Sequence, residues 1–390
     1  MKTTKKMLAL LLAAAMILAM TACGSSSDSS TDTTAAADDT TAAVEDTTGE
    51  AEDSTDEATE AEEGSEAADT ENQSTSSEAP TLTSTEEVNI IWSHNASETS
   101  SGHQVALKFK ERIEELSDGK ITVTIYPNGQ LGTVTENDQA MHDGTIQILS
   151  GTAGSTTDAS LSYFDAPNLV NSDEEALELF GRGTELREMT EEIYEGLGMK
   201  ILPFMPSGFR EVTSNVEIRS YEELAGLDIR TMENTVSMEY WSDWGCNPTP
   251  LAFSELYIAL QQGLVDTQEN TYDTIVSSNL YEQQKYVINT NHAVMWSGVY
   301  INLDFFNSLP EDYQELITWI WEYELDEVSY EMAMEANEEA LQTMIDAGLE
   351  VIDFADEDYV KMREAASPAY DLIRESVGDE IMDKVMAALE

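Results

Sequence analysis

Positive charge is scarce in this chain: 390 residues carry 18 Lys and Arg against 77 Asp and Glu, a formal net charge of −59. A phosphate backbone needs a basic face, so this deficit excludes nucleic acid as a partner. Cysteine occurs only as Cys23 and Cys246, too few for a disulfide framework or a cysteine-based metal site. The four histidines (His94, His103, His142, His292) lie far apart in sequence and lack the spacing of metal ligands. Beyond the first 22 residues no segment is apolar enough to cross a bilayer, so any membrane-crossing step belongs to another subunit. HExxH, GxSxG, CxxC and the GxxxxGK phosphate loop are all missing. Gly181-Arg182-Gly183 opens like a dinucleotide fingerprint but lacks the third glycine and a preceding strand. Neither an enzyme nor a cofactor is expected, and carboxylates this abundant are expected to be solvated instead of forming a catalytic pair.

What is present begins with an export signal. Lys2, Lys5 and Lys6 precede the apolar run Met7–Met20, and small residues lead into Cys23. The run is too short for a comfortable span, and the small residue before cysteine resembles a bacterial lipobox. Residues 1–23 are therefore expected to be a lipoprotein signal with Cys23 lipidated, placing the protein outside the cytoplasm on the outer face of the cytoplasmic membrane. Gly24 to Glu87 holds 20 acidic residues and no Lys or Arg. It cannot bury enough apolar surface to offset its ordering entropy, and is expected to be a disordered acidic tether reaching ~40–50 Å or more.

Val88 to Glu390 is the expected folded head, long enough for two lobes. Val88–Trp92 reads as a strand. Val105, Phe109, Ile113 and Leu116 recur at helical spacing, and Ser117-Asp118-Gly119 turns into the alternating strand Ile121–Tyr126. A helix over Glu136–His142, strands over Ile146–Leu149, Met199–Pro203 and Asp228–Thr231, and a helix over Ser254–Gln262 ended by Gly263 continue the alternation. Strands alternating with helices predict a wound α/β sheet. From Pro310 to Ala347 apolar residues recur at three- and four-residue steps, predicting a helix of ~57 Å that runs across both lobes.

Arginine is where chemistry becomes legible. Between Thr231 and Val360 the only Lys or Arg is Lys285, while Arg230 ends the strand Gly226–Arg230. Ligands of α/β sheets bind beyond the carboxyl ends of strands, where a guanidinium can grip a carboxylate with two parallel hydrogen bonds. An internal salt bridge to one of the many acids is the other possibility, and position does not decide between them. For Arg210, after the strand-like stretch ending at Pro206, the internal pair is favoured.

The block Gly245-Cys246-Asn247-Pro248-Thr249-Pro250-Leu251-Ala252-Phe253-Ser254-Glu255-Leu256-Tyr257, running through Gly263 to Gln268-Glu269-Asn270, resembles the dicarboxylate-binding (DctP-like) solute-binding proteins of TRAP (tripartite ATP-independent periplasmic) transporters. So do Asn128–Gly132, Gly208-Phe209-Arg210 with Thr213-Ser214-Asn215, Gly226–Arg230 and Tyr281–His292, in order along the head. The resemblance implies a two-lobed α/β fold of the periplasmic-binding-protein kind, with a hinge and a long helix spanning both lobes. Lobe one would be about 88–207 with 297–335, and lobe two 208–296 with 336–390. It implies capture of a small organic acid, a dicarboxylate or sugar acid, and delivery to small and large TRAP membrane subunits. Arg230 would meet the ligand carboxylate, Asn270 would hydrogen-bond it, Phe253 would pack beside it, Arg210 would contact the ligand or brace the cleft, and Asn95 would be a further polar contact. Thr267 and Thr271 stand where the family commonly has glycine and proline, and Thr231-Met232-Glu233 departs from its usual sequence. A receptor feeding a sensor kinase or ATP-driven importer, or a surface-anchored sugar-acid hydrolase, are the rival readings.

Overall fold

The computed structural model describes residues 78–389. The expected signal, lipidated Cys23 and all but the end of the acidic tether lie outside the described residues. At that end the structure corrects the expectation, because the head begins before Val88. Leu82 packs on the core, Thr83 and Ser84 donate backbone N–H groups to Asp312 Oδ2 (2.6 and 2.8 Å), and Tyr313 Oη donates to the Glu86 carbonyl (2.9 Å). One leucine in a polar run gives no periodic signal, which hides this docking in the sequence.

Among the described residues nine strands form one mixed sheet: β1 (Val88–His94), β2 (Ile121–Tyr126), β3 (Ile148–Thr152), β4 (Met199–Ser214), β5 (Asp228–Thr231), β6 (Asn247–Pro250), β7 (Thr267–Asn270), β8 (Tyr286–Asn302) and β9 (Glu350–Asp353). The spatial order is β2-β1-β3-β8-β4-β7-β5-β6, with β9 also on β8. Two parallel units, β2-β1-β3 and β7-β5-β6, are joined through the antiparallel pair β4/β8. Those two strands, 16 and 17 residues long, run from Met199 opposite Asn302 to Ser214 opposite Tyr286 and so belong to both units. The expected strand ending at Pro203 in fact continues through Pro203 and Pro206. The ladder shifts register between Ile201 and Phe204, between Pro206 and Phe209, and between Arg210 and Val212. Proline is tolerated in a strand at such irregularities, because no ladder hydrogen bond is required of it there.

The first β-α-β unit forms as its pattern predicts. Ser100 caps the helix Ser101–Leu116 by accepting from His103 N–H, and Val105, Phe109 and Ile113 are buried along one face. Phe109 stacks on Trp321 (5.1 Å) and meets the edge of Trp92 (5.6 Å), and burying such a ring contributes roughly 1.5–3 kcal/mol. The helix over Glu136–His142 starts earlier, at Val134, behind a capping box of Thr133 and Glu136. Gly263, at φ +67°, ends the helix Phe253–Gln262.

The long helix is continuous in path but not in type. It runs Glu311–Ile320, makes a π-helical turn over Trp321–Leu325, and resumes over Asp326–Asp346. Its second segment packs on the helix Ser101–Leu116 of the first unit, on β4, and on the helix Tyr272–Ser277 of the second. The helix Ser367–Val377, one before the last described, packs both on Ala159–Asp165 and on the helix Thr235–Asp243, so the largest core cluster crosses the boundary drawn between the lobes. Among the described residues no helix is long and apolar enough to cross a membrane.

Candidate functional site

The carboxyl ends of the parallel strands bring the sequence-predicted residues toward one region. Arg230 sits near the end of β5, paired in register with Gln268 of β7, and is 3% exposed. Its Nε and Nη2 donate to the Leu251 carbonyl (3.1 and 2.7 Å), and its guanidinium lies 6.0 Å from the Phe253 ring, within cation–π range. Nη1 is buried and has no hydrogen-bond partner. Among the described residues no carboxylate reaches Arg230 within ion-pair distance, so the internal salt bridge left open by the sequence is not made. Burial pulls this guanidinium down to about 10, with Arg210 adding to the effect and Glu269 opposing it.

Arg210, on β4, does have its internal partner. Its Nε and Nη2 grip the Glu269 carboxylate in parallel (2.5 and 2.9 Å), and Nη2 also donates to the Glu269 carbonyl and to Asn270 Oδ1 (2.9 and 3.1 Å). Nη1 faces only Met295 Sδ, a weak acceptor, at 3.1 Å. Glu269 is fully buried and also bonds His292 Nε2 at 3.2 Å. Burial alone would raise this carboxyl, but Arg210 and His292 outweigh it and hold it at about 2. Burial lowers His292, so its neutral ring donates from Nε2 while Nδ1 faces Thr290 Oγ1 at 2.8 Å. Asn270 spends one proton of Nδ2 on Gln268 Oε1 (2.7 Å) and one lone pair on Arg210, which leaves one of each.

Between the two units lies a crevice lined by Thr152, Phe164 and Asp165 on one side and Arg210, Met232 and Tyr240 on the other. Its room of about 10 Å³ holds at most a single water. Asp165 Oδ2 accepts from Ser155 N–H (2.8 Å), and Oδ1 accepts from Asn234 Nδ2 (3.3 Å) across the crevice. Burial pushes Asp165 up to about 6. Asn234 is fixed in turn as the cap of the helix Thr235–Asp243, taking Ser237 N–H at 2.6 Å. A second bridge joins the units nearby: Ser101 N–H and Oγ donate to Asp273 Oδ2 (3.0 and 2.6 Å), and Asn337 Oδ1 takes Asp273 N–H (3.0 Å).

Asn95, expected as a further polar contact, follows directly on β1 and is half-buried. Its Nδ2 donates to the Gly132 carbonyl (3.3 Å) and its Oδ1 accepts from Asn137 (3.2 Å), so its side chain braces the turn around Gly129–Gly132. Solvated carboxylates, the general expectation, are corrected at Glu211, Glu269 and Asp165, which are 2%, 0% and 8% exposed. His94 and His103, nine positions apart in sequence, touch in the fold, with Nε2 and Nδ1 3.0 Å apart. Sequence reasoning passed over Glu269, Asp165 and Asn234 as site residues. Only the position of Glu269 between Gln268 and Asn270 carried a signal; its burial comes from the place of β7 inside the sheet, between β4 and β5. No group of three metal-ligating side chains occurs among the described residues, and Cys246 is buried with its thiol pushed up to about 12.

The profile of the bacterial extracellular solute-binding proteins, family 7 (DctP), matches residues 92–376. The C4-dicarboxylate-binding periplasmic protein DctP of Rhodobacter capsulatus is 30% identical over 309 residues, 78% of this chain and 91% of that protein. A TRAP periplasmic solute-binding protein from Desulfovibrio salexigens, solved with orotic acid, shares 28% identity at a TM-score of 0.72, covering 77% of this chain and 98% of the other. Another, from Roseobacter denitrificans with L-galactonate, shares 27% identity at a TM-score of 0.69, covering 79% and 100%. The α/β architecture and the match along most of the head agree: this chain belongs to the DctP family of bacterial extracellular solute-binding proteins.

Proposed function

We propose that this chain is the extracytoplasmic receptor of a TRAP-type transporter, capturing a small organic acid between two lobes and delivering it to small and large membrane subunits. The observation that carries this reading is the buried Nη1 of Arg230. A charged donor kept from water without an acceptor costs about 1–3 kcal/mol or more, which a ligand carboxylate would recover. With Leu251 fixing the guanidinium plane, the acid group meets Nη1, Asn270 supplies its remaining N–H, and the Phe253 ring shields the pair. Arg210 acts one step back, through Glu269 and Asn270. The relatives' ligands, a C4-dicarboxylate, orotic acid and L-galactonate, are all carboxylates and support this class.

The lobes are 88–207 with 297–335, and 208–296 with 336–390; the first boundary falls inside the β4 irregularity at Pro206–Phe209. A crevice of about 10 Å³ admits an organic acid only if the lobes part, and ligand favours the closed form because it touches both. Cys23 carries the lipid anchor, and detergent phase partitioning of wild type against Cys23→Ala checks it. For the site, thermal-shift screening of an organic-acid library followed by calorimetry is the test. Arg230→Lys is expected to bind the best acid about 100-fold more weakly, since an ammonium cannot reproduce the planar geometry. Unchanged affinity would remove Arg230 from the site.

A further inference from the structure

We infer that Asp165 restricts this receptor to acids with one carboxylate and a hydroxyl-bearing body, and excludes a second carboxylate at the far end of the ligand. The inference rests on the reading just given and specifies which acids the site takes. It starts from the charges around the crevice. Arg210 is matched by Glu269 through two parallel bonds, so its charge is already cancelled. Arg230 is left as the site arginine without a carboxylate, which suits one acid group on the ligand.

Asp165 lines the same crevice from the other unit. Among the described residues no Lys, Arg or His approaches it within ion-pair distance, and its contacts are neutral donors, Ser155 N–H and Asn234 Nδ2. It is also held in place. Gly154, at φ +147°, passes so close that a Cβ there would stand 2.5 Å from Asp165 Oδ1, and Asn234 is itself locked by its cap bond. Gly154 blocks one direction of swing, and Arg210, which favours the charged carboxylate from across the crevice, makes no ion pair with it because it is already bound to Glu269. Each Asp165 oxygen retains lone-pair capacity, which a ligand hydroxyl satisfies and a ligand carboxylate opposes in a weakly screened interior. Glu233, exposed on the loop after Arg230, adds negative charge on the side of that arginine. Phe164 and Met232 supply the apolar walls.

The discriminating probes are acids that differ only at the far carbon: galactonate against galactarate, gluconate against glucarate, and 4-hydroxybutyrate against succinate. Calorimetry on the full mature chain is expected to show the single acid of the best-binding pair at least ~30-fold tighter than its double-acid partner. Asp165→Asn, which keeps size and hydrogen bonding, is expected to bring that ratio to within ~3-fold. A double acid that binds wild type as well as its single-acid partner overturns the inference and leaves the organic-acid reading standing. So does an unchanged ratio in a folded Asp165→Asn protein, or binding confined to acids without hydroxyls. If Asp165→Asn does not fold, the wild-type ratio decides alone. Failure of every acid, single or double, overturns the receptor reading itself and this inference with it.

Discussion

Arg210 and Arg230 lie two strands apart in one sheet and are equally buried, at 2% and 3% exposed, yet their surroundings differ in kind. Arg210 has a carboxylate gripped by two nitrogens, a backbone carbonyl and an amide oxygen. Arg230 has one carbonyl, an aromatic neighbour and a donor left over. A buried cation with all its partners inside the chain is part of the architecture. One that lacks a counter-ion is a demand for a partner from outside. The pKa directions follow the same division: burial lowers both, but Glu269 more than restores Arg210 while Arg230 stays down at about 10.

That contrast can be broken most sharply by truncation. Arg210→Ala leaves Glu269 buried with only His292 beside it and is expected to cost about 3–5 kcal/mol in chemical denaturation. Arg230→Ala removes a cation that had no counter-ion and is expected to change stability by no more than about 1 kcal/mol, while abolishing acid binding. Comparable losses of stability in the two variants would erase the distinction.

Acidity sharpens the contrast from the carboxylate side. Glu211, beside Arg210 in β4, is buried without a cation and is pushed up to about 8, although Asn291 N–H (2.8 Å) oppose the shift. Its folded value lies above the unfolded one, so the stability it contributes is complete below pH ~4.5 and is lost as pH rises toward 8. Glu269, held at about 2, works the other way: its contribution is present above pH ~4.5 and is lost as pH falls toward 2. Glu211→Gln is therefore expected to flatten the decline in urea midpoint between pH 5 and 8 and to leave the acid limb intact. An unaltered slope would mean that Glu211 does not hold its proton.

Much of the head was legible because its signals are local. The helix Ser101–Leu116, the glycine stop at Gly263 and the strand Asp228–Thr231 all follow from spacing and turn residues within a dozen positions. The long strands β4 and β8 were not, because Pro203 and Pro206 imitate a stop and the register shifts that admit them depend on the partner strand. The state of Arg230 was equally out of reach. Which of 77 acids approaches an arginine is settled by tertiary placement, and nothing near Gly226–Arg230 in sequence shows that none does. Glu269 was hidden by the same abundance. The π-helical turn at Trp321–Leu325 sits inside an unbroken apolar rhythm that reads as plain α-helix.

Asn337 gives the long helix a further role. Its Nδ2 donates to the Ser207 carbonyl at 2.9 Å and its Oδ1 takes Asp273 N–H at 3.0 Å, while Gly208, at φ +94°, leaves only the width of a missing methyl beside it. One amide thus staples the kink in β4 to the element that follows Asn270, from a rod anchored over both halves. The long pair of strands, 16 and 17 residues, is thereby pinned at Ser207 by a side chain of the same helix that packs on the first unit and on the helix Tyr272–Ser277.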